Sequence, residues 1–186
     1  SAVEESYANV VDGVLAEGFL DVGERRPNPT SLNFYINLDN QGKIILPQNI
    51  GTEIDGDQER MKIYTLSTYY LIKGNNVYYR YAGDNIAGNF RTNFFKAIEY
   101  NVGQPEGSYY VLHQGDDPSC PHDTWGKAYM YAREFDNALV VSLPLPHWDS
   151  TYTPSYTSAL PSYDIGNRQI SNRYQKLNSD GTVDPN

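Results

Sequence analysis

Residues 9–100 alternate between short apolar runs and amphipathic stretches, and that alternation limits the possible folds more than any other feature. Residues 9–20 (NVVDGVLAEGFL) are almost continuously apolar, as expected of a parallel strand covered on both faces. Residues 31–40 place Leu32, Tyr35, Ile36 and Leu38 toward one side of a short helix, which Asn40, Gln41 and Gly42 close. Residues 43–48 (KIILPQ) are a second buried strand. Residues 58–73 make the strongest helical pattern, with Met61, Tyr64, Thr68, Leu71 and Ile72 at helical spacing. Asp57 is placed to cap it, Glu59 complements its N-terminal dipole, and Gly74 ends it. Residues 76–81 (NVYYRY) are a third strand. Residues 91–100 are expected to be a third helix, with Phe94, Phe95 and Ile98 as its apolar face. Strands alternating with helices imply a parallel sheet with helices on its faces.

The second part of the chain changes character. A short strand is expected at 108–113, and runs 127–135 and 139–143 form a hairpin around Asp136, Asn137 and Ala138. Residues 144–166 are rich in Tyr, Pro, Ser and Thr and read as a long loop, of a length that compact domains reserve for function or disorder. A turn is expected at 178–182. The chain therefore divides into an α/β unit at 1–102 and a β unit at 103–186.

Charge excludes some partners. Lys and Arg total 14 and Asp and Glu 23, for a net charge of −9. Such a surface opposes phosphate-backbone binding and docking on anionic lipid. No apolar run is long enough to span a membrane. Cys120 is the one cysteine, so neither an internal disulfide nor a thiolate cluster is expected. Tyrosine is abundant, at 17 residues. Its apolar face and polar tip suit sugar-binding surfaces and wet interfaces, although the aromatic strand residues of a β-rich chain are the plainer account.

Three segments in this order resemble a known family. They are residues 12–19 (DGVLAEGF), residues 42–48 (GKIILPQ) with the helix through Arg60 to residues 69–74 (YYLIKG), and residues 131–141 (YAREFDNALVV). Together they resemble the C-terminal half of (β/α)8-barrel glycoside hydrolases of the hypothetical glycosyl hydrolase family fifteen type. Residues 174–183 resemble the penultimate stretch of that family's trailing β domain. The resemblance implies the last strand–helix units of a (β/α)8 barrel followed by a small antiparallel β-sandwich. A full barrel needs eight units and typically ~250 residues. About three are read here, so the resemblance is to part of such a protein.

It also implies where chemistry would sit. Catalytic groups of a barrel occupy the C-terminal ends of strands. Glu17 lies there and is the candidate catalytic carboxylate. A carboxylate inside an apolar run needs a reason, because burying it unpaired is costly; a structural ion pair with Arg80 is the plainer one. Glycoside hydrolysis takes a second carboxylate, ~5 Å away for retention or ~6.5–9.5 Å for inversion. Glu53, Asp55 and Asp57 lie in the loop after the second strand; helix capping is their plainer role.

Gln48, Arg80 and Tyr81 end strands two and three and are expected to share one rim, binding sugar hydroxyls or stacking on a pyranose. Trp148, at the start of the long loop, is a candidate aromatic platform or a seam to another subunit. Arg133 and Glu134 are adjacent in a strand, so one is expected to be exposed and the other to bridge domains. His113, Cys120 and His122 flank Asp116, Asp117 and Asp123, but that ligand mix matches no usual metal. No metal or cofactor is expected.

The expected partner is an extracellular or cell-surface polysaccharide or oligosaccharide. Further copies of the chain or the missing barrel half are also candidate partners, while nucleic acid and membrane are not. Two non-catalytic alternatives remain open: an assembly protein on the same scaffold, and a carbohydrate-binding module at residues 103–186.

Overall fold

A computed structural model describes residues 7–8, 10–17, 19, 28–49, 58–81, 94–115, 128–142 and 180–182. In chain order they form β1 (Gly13–Glu17), α1 (Pro29–Asn40), β2 (Ile44–Asn49), α2 (Gln58–Ile72), β3 (Arg80–Tyr81), a 3-10 turn (Lys96–Glu99), β4 (Tyr110–Gly115), β5 (Ala128–Phe135) and β6 (Ala138–Ser142). Two three-stranded sheets result, parallel β1-β2-β3 and antiparallel β4-β5-β6.

The helix ends are set locally. Asn28 Oδ1 accepts from Ser31 N and Ser31 Oγ accepts from Asn28 N, both at 3.0 Å, a reciprocal capping box with Pro29 in the first turn. This box starts α1 two residues before the sequence pattern suggests. At the far end of α2 the chain passes against Asp39 of α1, whose carboxylate accepts from Asn76 N at 2.8 Å and Asn75 N at 3.3 Å. A Cβ on Gly74 would lie 1.8 Å from Asp39 Oδ2, so any other residue there would displace this carboxylate.

Among the described residues helix α2 is the central element. Met61, Tyr64, Thr65, Leu66, Thr68, Tyr70, Leu71 and Ile72 are all buried, on every side of the helix rather than along one stripe. One side meets Tyr81, Phe95, Val102, Phe135 and Val140. The other meets Ile45, Val77 and Tyr131, together with Leu32 and Leu38 of α1. The two sheets are thus tied through a common helix. A buried hydrogen bond between Thr68 Oγ1 and Ser142 Oγ, at 3.1 Å, joins α2 to β6. Thr65 Oγ1 and the Tyr79 hydroxyl, at 2.7 Å, join it to the approach to β3.

These elements correct the expected architecture. They are not the last units of a (β/α)8 barrel followed by a β-sandwich. Among the described residues there are two long helices, and the third strand is two residues long. Of the third expected helix, residues 94–100 are described, and they hold a single 3-10 turn, entered from an extended Phe95 and left through an extended Tyr100. Aromatic residues lose side-chain freedom in a helix, and one turn is too short to repay nucleation. The antiparallel strands form one hairpin-based sheet packed on α2, where a sandwich requires two sheets face to face.

The β4–β5–β6 register confirms the hairpin, with Phe135 opposite Ala138. Next to it, Gly103 takes φ +83°, and a Cβ there would lie 2.6 Å from Asp136 Cβ. The long loop at 144–166 lies outside the described residues. Of the turn expected at 178–182, residues 180–182 are described, and Asp180 Oδ1 accepts from Thr182 N at 2.8 Å.

Candidate functional site

The parallel register decides which side chains share a face. Glu17 pairs with Gln48, and Gln48 with Arg80. The three form one row across the C-terminal ends of the sheet. Arg80 Nη1 donates to Gln48 Oε1 at 2.9 Å, and Gln48 is 3 % exposed. Glu17 is exposed, so it carries no burial cost. Two strand spacings, about 10 Å at the backbone, separate Glu17 from Arg80, and Gln48 stands between them.

One row down on the same face lie Leu15, Leu46 and Tyr78. Leu15 pairs with Leu46, and Val77 bridges Ile45 in the register that pairs Arg80 with Gln48, which sets Tyr78 opposite Leu46. Exposure agrees: Leu15 and Tyr78 are 50 % and 54 % exposed, and Ile44 and Leu46 are exposed too. The intervening rows point the other way. Ala16, Ile45, Pro47 and Val77 are buried on the side of the helices. Among the described residues one face of the parallel sheet is therefore covered by helices, and on the other Glu17 and Arg80 flank a buried Gln48 above an apolar row.

Tyr81 does not belong to this rim, contrary to expectation. Adjacent strand residues face opposite ways, so Tyr81 turns from Arg80 into the core. It is buried and its ring meets Phe95 edge-on at 5.5 Å. Tyr78, which sequence reasoning did not single out, holds the rim-side position. Counting back two residues from Arg80 in NVYYRY would have found it.

Tyrosines also build the interior. Tyr64, Tyr70, Tyr81 and Tyr131 are buried, and Tyr69 stacks near Tyr70 and Tyr79 at 5.2 and 5.1 Å. Burial pushes the Tyr69 phenol up to about 12, with smaller contributions from Tyr70 and Tyr78. Burial also drives Tyr79 strongly upward, against the opposing hydrogen bond from Thr65. These phenols stay neutral and structural.

Arg133 is buried while Glu134 is exposed, the division expected of adjacent strand residues. Arg133 reaches the C-terminal end of α2. Burial lowers its pKa and Asp39 opposes that shift. Lys73 beside it is lowered by burial and by the Arg133 charge.

Trp148, Glu53, Asp55, Asp57, Cys120, His122 and the acidic residues beside them lie outside the described residues, as does the His113 side chain. Among the described residues no group of three or more His, Cys, Asp or Glu side chains is placed to hold a metal ion. No described helix is long and apolar enough to cross a membrane. No protein-family model matches the chain, and a search of curated proteins finds no match to it.

Proposed function

We propose that the rim row Glu17–Gln48–Arg80 is a glycan site, with Glu17 as a carboxylate of acid/base hydrolysis. The observation that carries this reading is the cross-strand register that aligns the three side chains above Leu46 and Tyr78. Buried Gln48 holds the Arg80 guanidinium at 2.9 Å, and the half-buried Arg80 is the member of the pair that meets sugar hydroxyls. Tyr78 replaces Tyr81 as the ring for the pyranose face. Glu17 is exposed and can reach a glycosidic oxygen without first being freed from the core. Hydrolysis takes a second carboxylate, placed for retention or inversion. The test compares the wild type with Glu17→Gln on a panel of extracellular polysaccharides, read by reducing-end release. Loss of release by at least about a hundredfold supports the role of Glu17. Unchanged release on every cleaved glycan ends it.

A specific observation favours a second reading. Leu15, Ile44, Leu46 and Tyr78 leave an apolar sheet face open, and parallel sheets are ordinarily covered on both faces. In this reading the protein is a non-catalytic assembly or surface protein, and the face is a contact. Sedimentation at high concentration separates the two. A monomer at all concentrations counts against assembly.

A further inference from the structure

A concave surface lies along the edge of strand β3. A cleft of about 330 Å3 lies between β3, α2 and the segment that carries the 3-10 turn. That volume is at the lower end of the ~300–1,000 Å3 found for small-ligand sites. Tyr69, Tyr78, Phe94 and Tyr100 line it, with Lys73 and Asn101 among the polar groups. Phe94 is 85 % exposed and Tyr100 is 41 % exposed. Exposed rings of this size gathered at one cleft are unusual for a surface without a ligand.

The floor is fixed. The Tyr69 hydroxyl donates to Val77 O at 3.4 Å, and the Tyr79 hydroxyl shares a hydrogen bond with Thr65. The Lys73 ammonium donates to Gly103 O at 3.4 Å and lies over the Tyr70 and Phe135 rings, at 5.5 and 5.7 Å. Its charge is already engaged, and the net charge of −9 repels anions. An anion is therefore disfavoured, and the cleft offers rings for a flat apolar face beside hydroxyls and an amide for an edge of hydrogen-bonding groups. A pyranose meets these requirements. Tyr78 belongs both to the row beneath Arg80 and to the cleft, so the two surfaces join across the edge of the sheet.

We propose that this cleft is a saccharide-stacking site, extending the rim over β3 so that a neutral oligosaccharide lies across both. The proposal rests on the glycan reading of the rim for its substrate class.

Calorimetric titration of the full chain tests it, with glucose, maltohexaose, cellohexaose and xylohexaose as probes. The variants are Phe94→Ala and Tyr100→Ala in the cleft, and Gln48→Ala and Arg80→Ala at the rim. Phe94 and Tyr100 are exposed, and far-ultraviolet circular dichroism checks that their variants fold. The expected result is hexasaccharide binding that weakens about tenfold or more in each cleft variant, with glucose bound much more weakly than any bound hexasaccharide. Hexasaccharide binding that falls in the rim variants and is untouched in the cleft variants overturns the cleft and leaves the rim reading standing. Binding that falls only in the cleft variants supports the cleft and removes the rim. No binding of any hexasaccharide overturns the cleft, and the rim is then judged by hydrolysis in Glu17→Gln.

Discussion

Arg133 of β5 holds the end of α2: its Nη1 donates to the carbonyl oxygens of Tyr70, Leu71 and Lys73, at 3.1, 3.1 and 2.7 Å. Its Nε donates to Gly107 O at 2.9 Å. The last carbonyls of a helix lack partners within it and carry partial negative charge. A guanidinium from the antiparallel sheet satisfies them here and joins that sheet to the helix that also covers the parallel sheet.

Arg133→Met should destabilise the protein by about 2–4 kcal/mol, because buried carbonyls lose a charged donor. Arg133→Lys should recover only part of this, since one ammonium cannot reproduce the fork of the guanidinium. Urea unfolding measures both. Equal stability of wild type and Arg133→Met would show that the contact contributes nothing.

The Thr68–Ser142 pair predicts non-additive behaviour. Thr68→Val leaves the buried Ser142 hydroxyl without this partner and should cost about 1–2 kcal/mol. Thr68→Val with Ser142→Ala removes both hydroxyls and should be less destabilised than the sum of the two single variants. A double-mutant cycle by thermal or urea unfolding reads the coupling. A coupling of zero would mean the two hydroxyls do not interact.

Gly103→Ala should destabilise by about 1–3 kcal/mol, from the positive φ alone. The added Cβ also meets Asp136, whose Oδ2 accepts from Gln104 N at 2.7 Å. Asp136→Gly in the Gly103→Ala background should relieve the contact but not the φ strain. Unfolding midpoints of the single and double variants separate the two effects.

Alkali should unfold the protein through its buried phenols. Tyr69 rises from 10.0 to about 12 in the folded protein. Its neutral form is favoured by folding, so the stabilisation is complete below pH 10 and is lost as pH climbs toward 12. Tyr79 is shifted in the same direction. Ultraviolet difference absorbance should show an early phase from exposed tyrosines and a late phase that coincides with unfolding. Tyr69→Phe should move the unfolding transition to higher pH. One simple titration near pH 10 for all tyrosines would contradict the burial.

Short-range periodicity in the chain was enough to locate α1, β2, α2 and the β5–β6 hairpin to within a few residues. An apolar run or a helical repeat is written in neighbouring residues, and Met61, Tyr64, Thr68, Leu71 and Ile72 are all buried where their spacing put them. That Glu17, Gln48 and Arg80 lie near the C-terminal ends of three strands was legible for the same reason, whereas their alignment in one row comes from the pairing register. Tertiary packing decided the rest. Which side of β3 faces the helices separates Tyr78 from Tyr81, and that choice depends on Phe95, fourteen residues further along the chain than Tyr81. The burial of Arg133 follows from where α2 ends in space, more than fifty residues earlier in the chain. Nor does the alternation of strands and helices say how many units close into a layer or which face stays open. That depends on long-range pairing, whose energy comes from buried surface that no local pattern records.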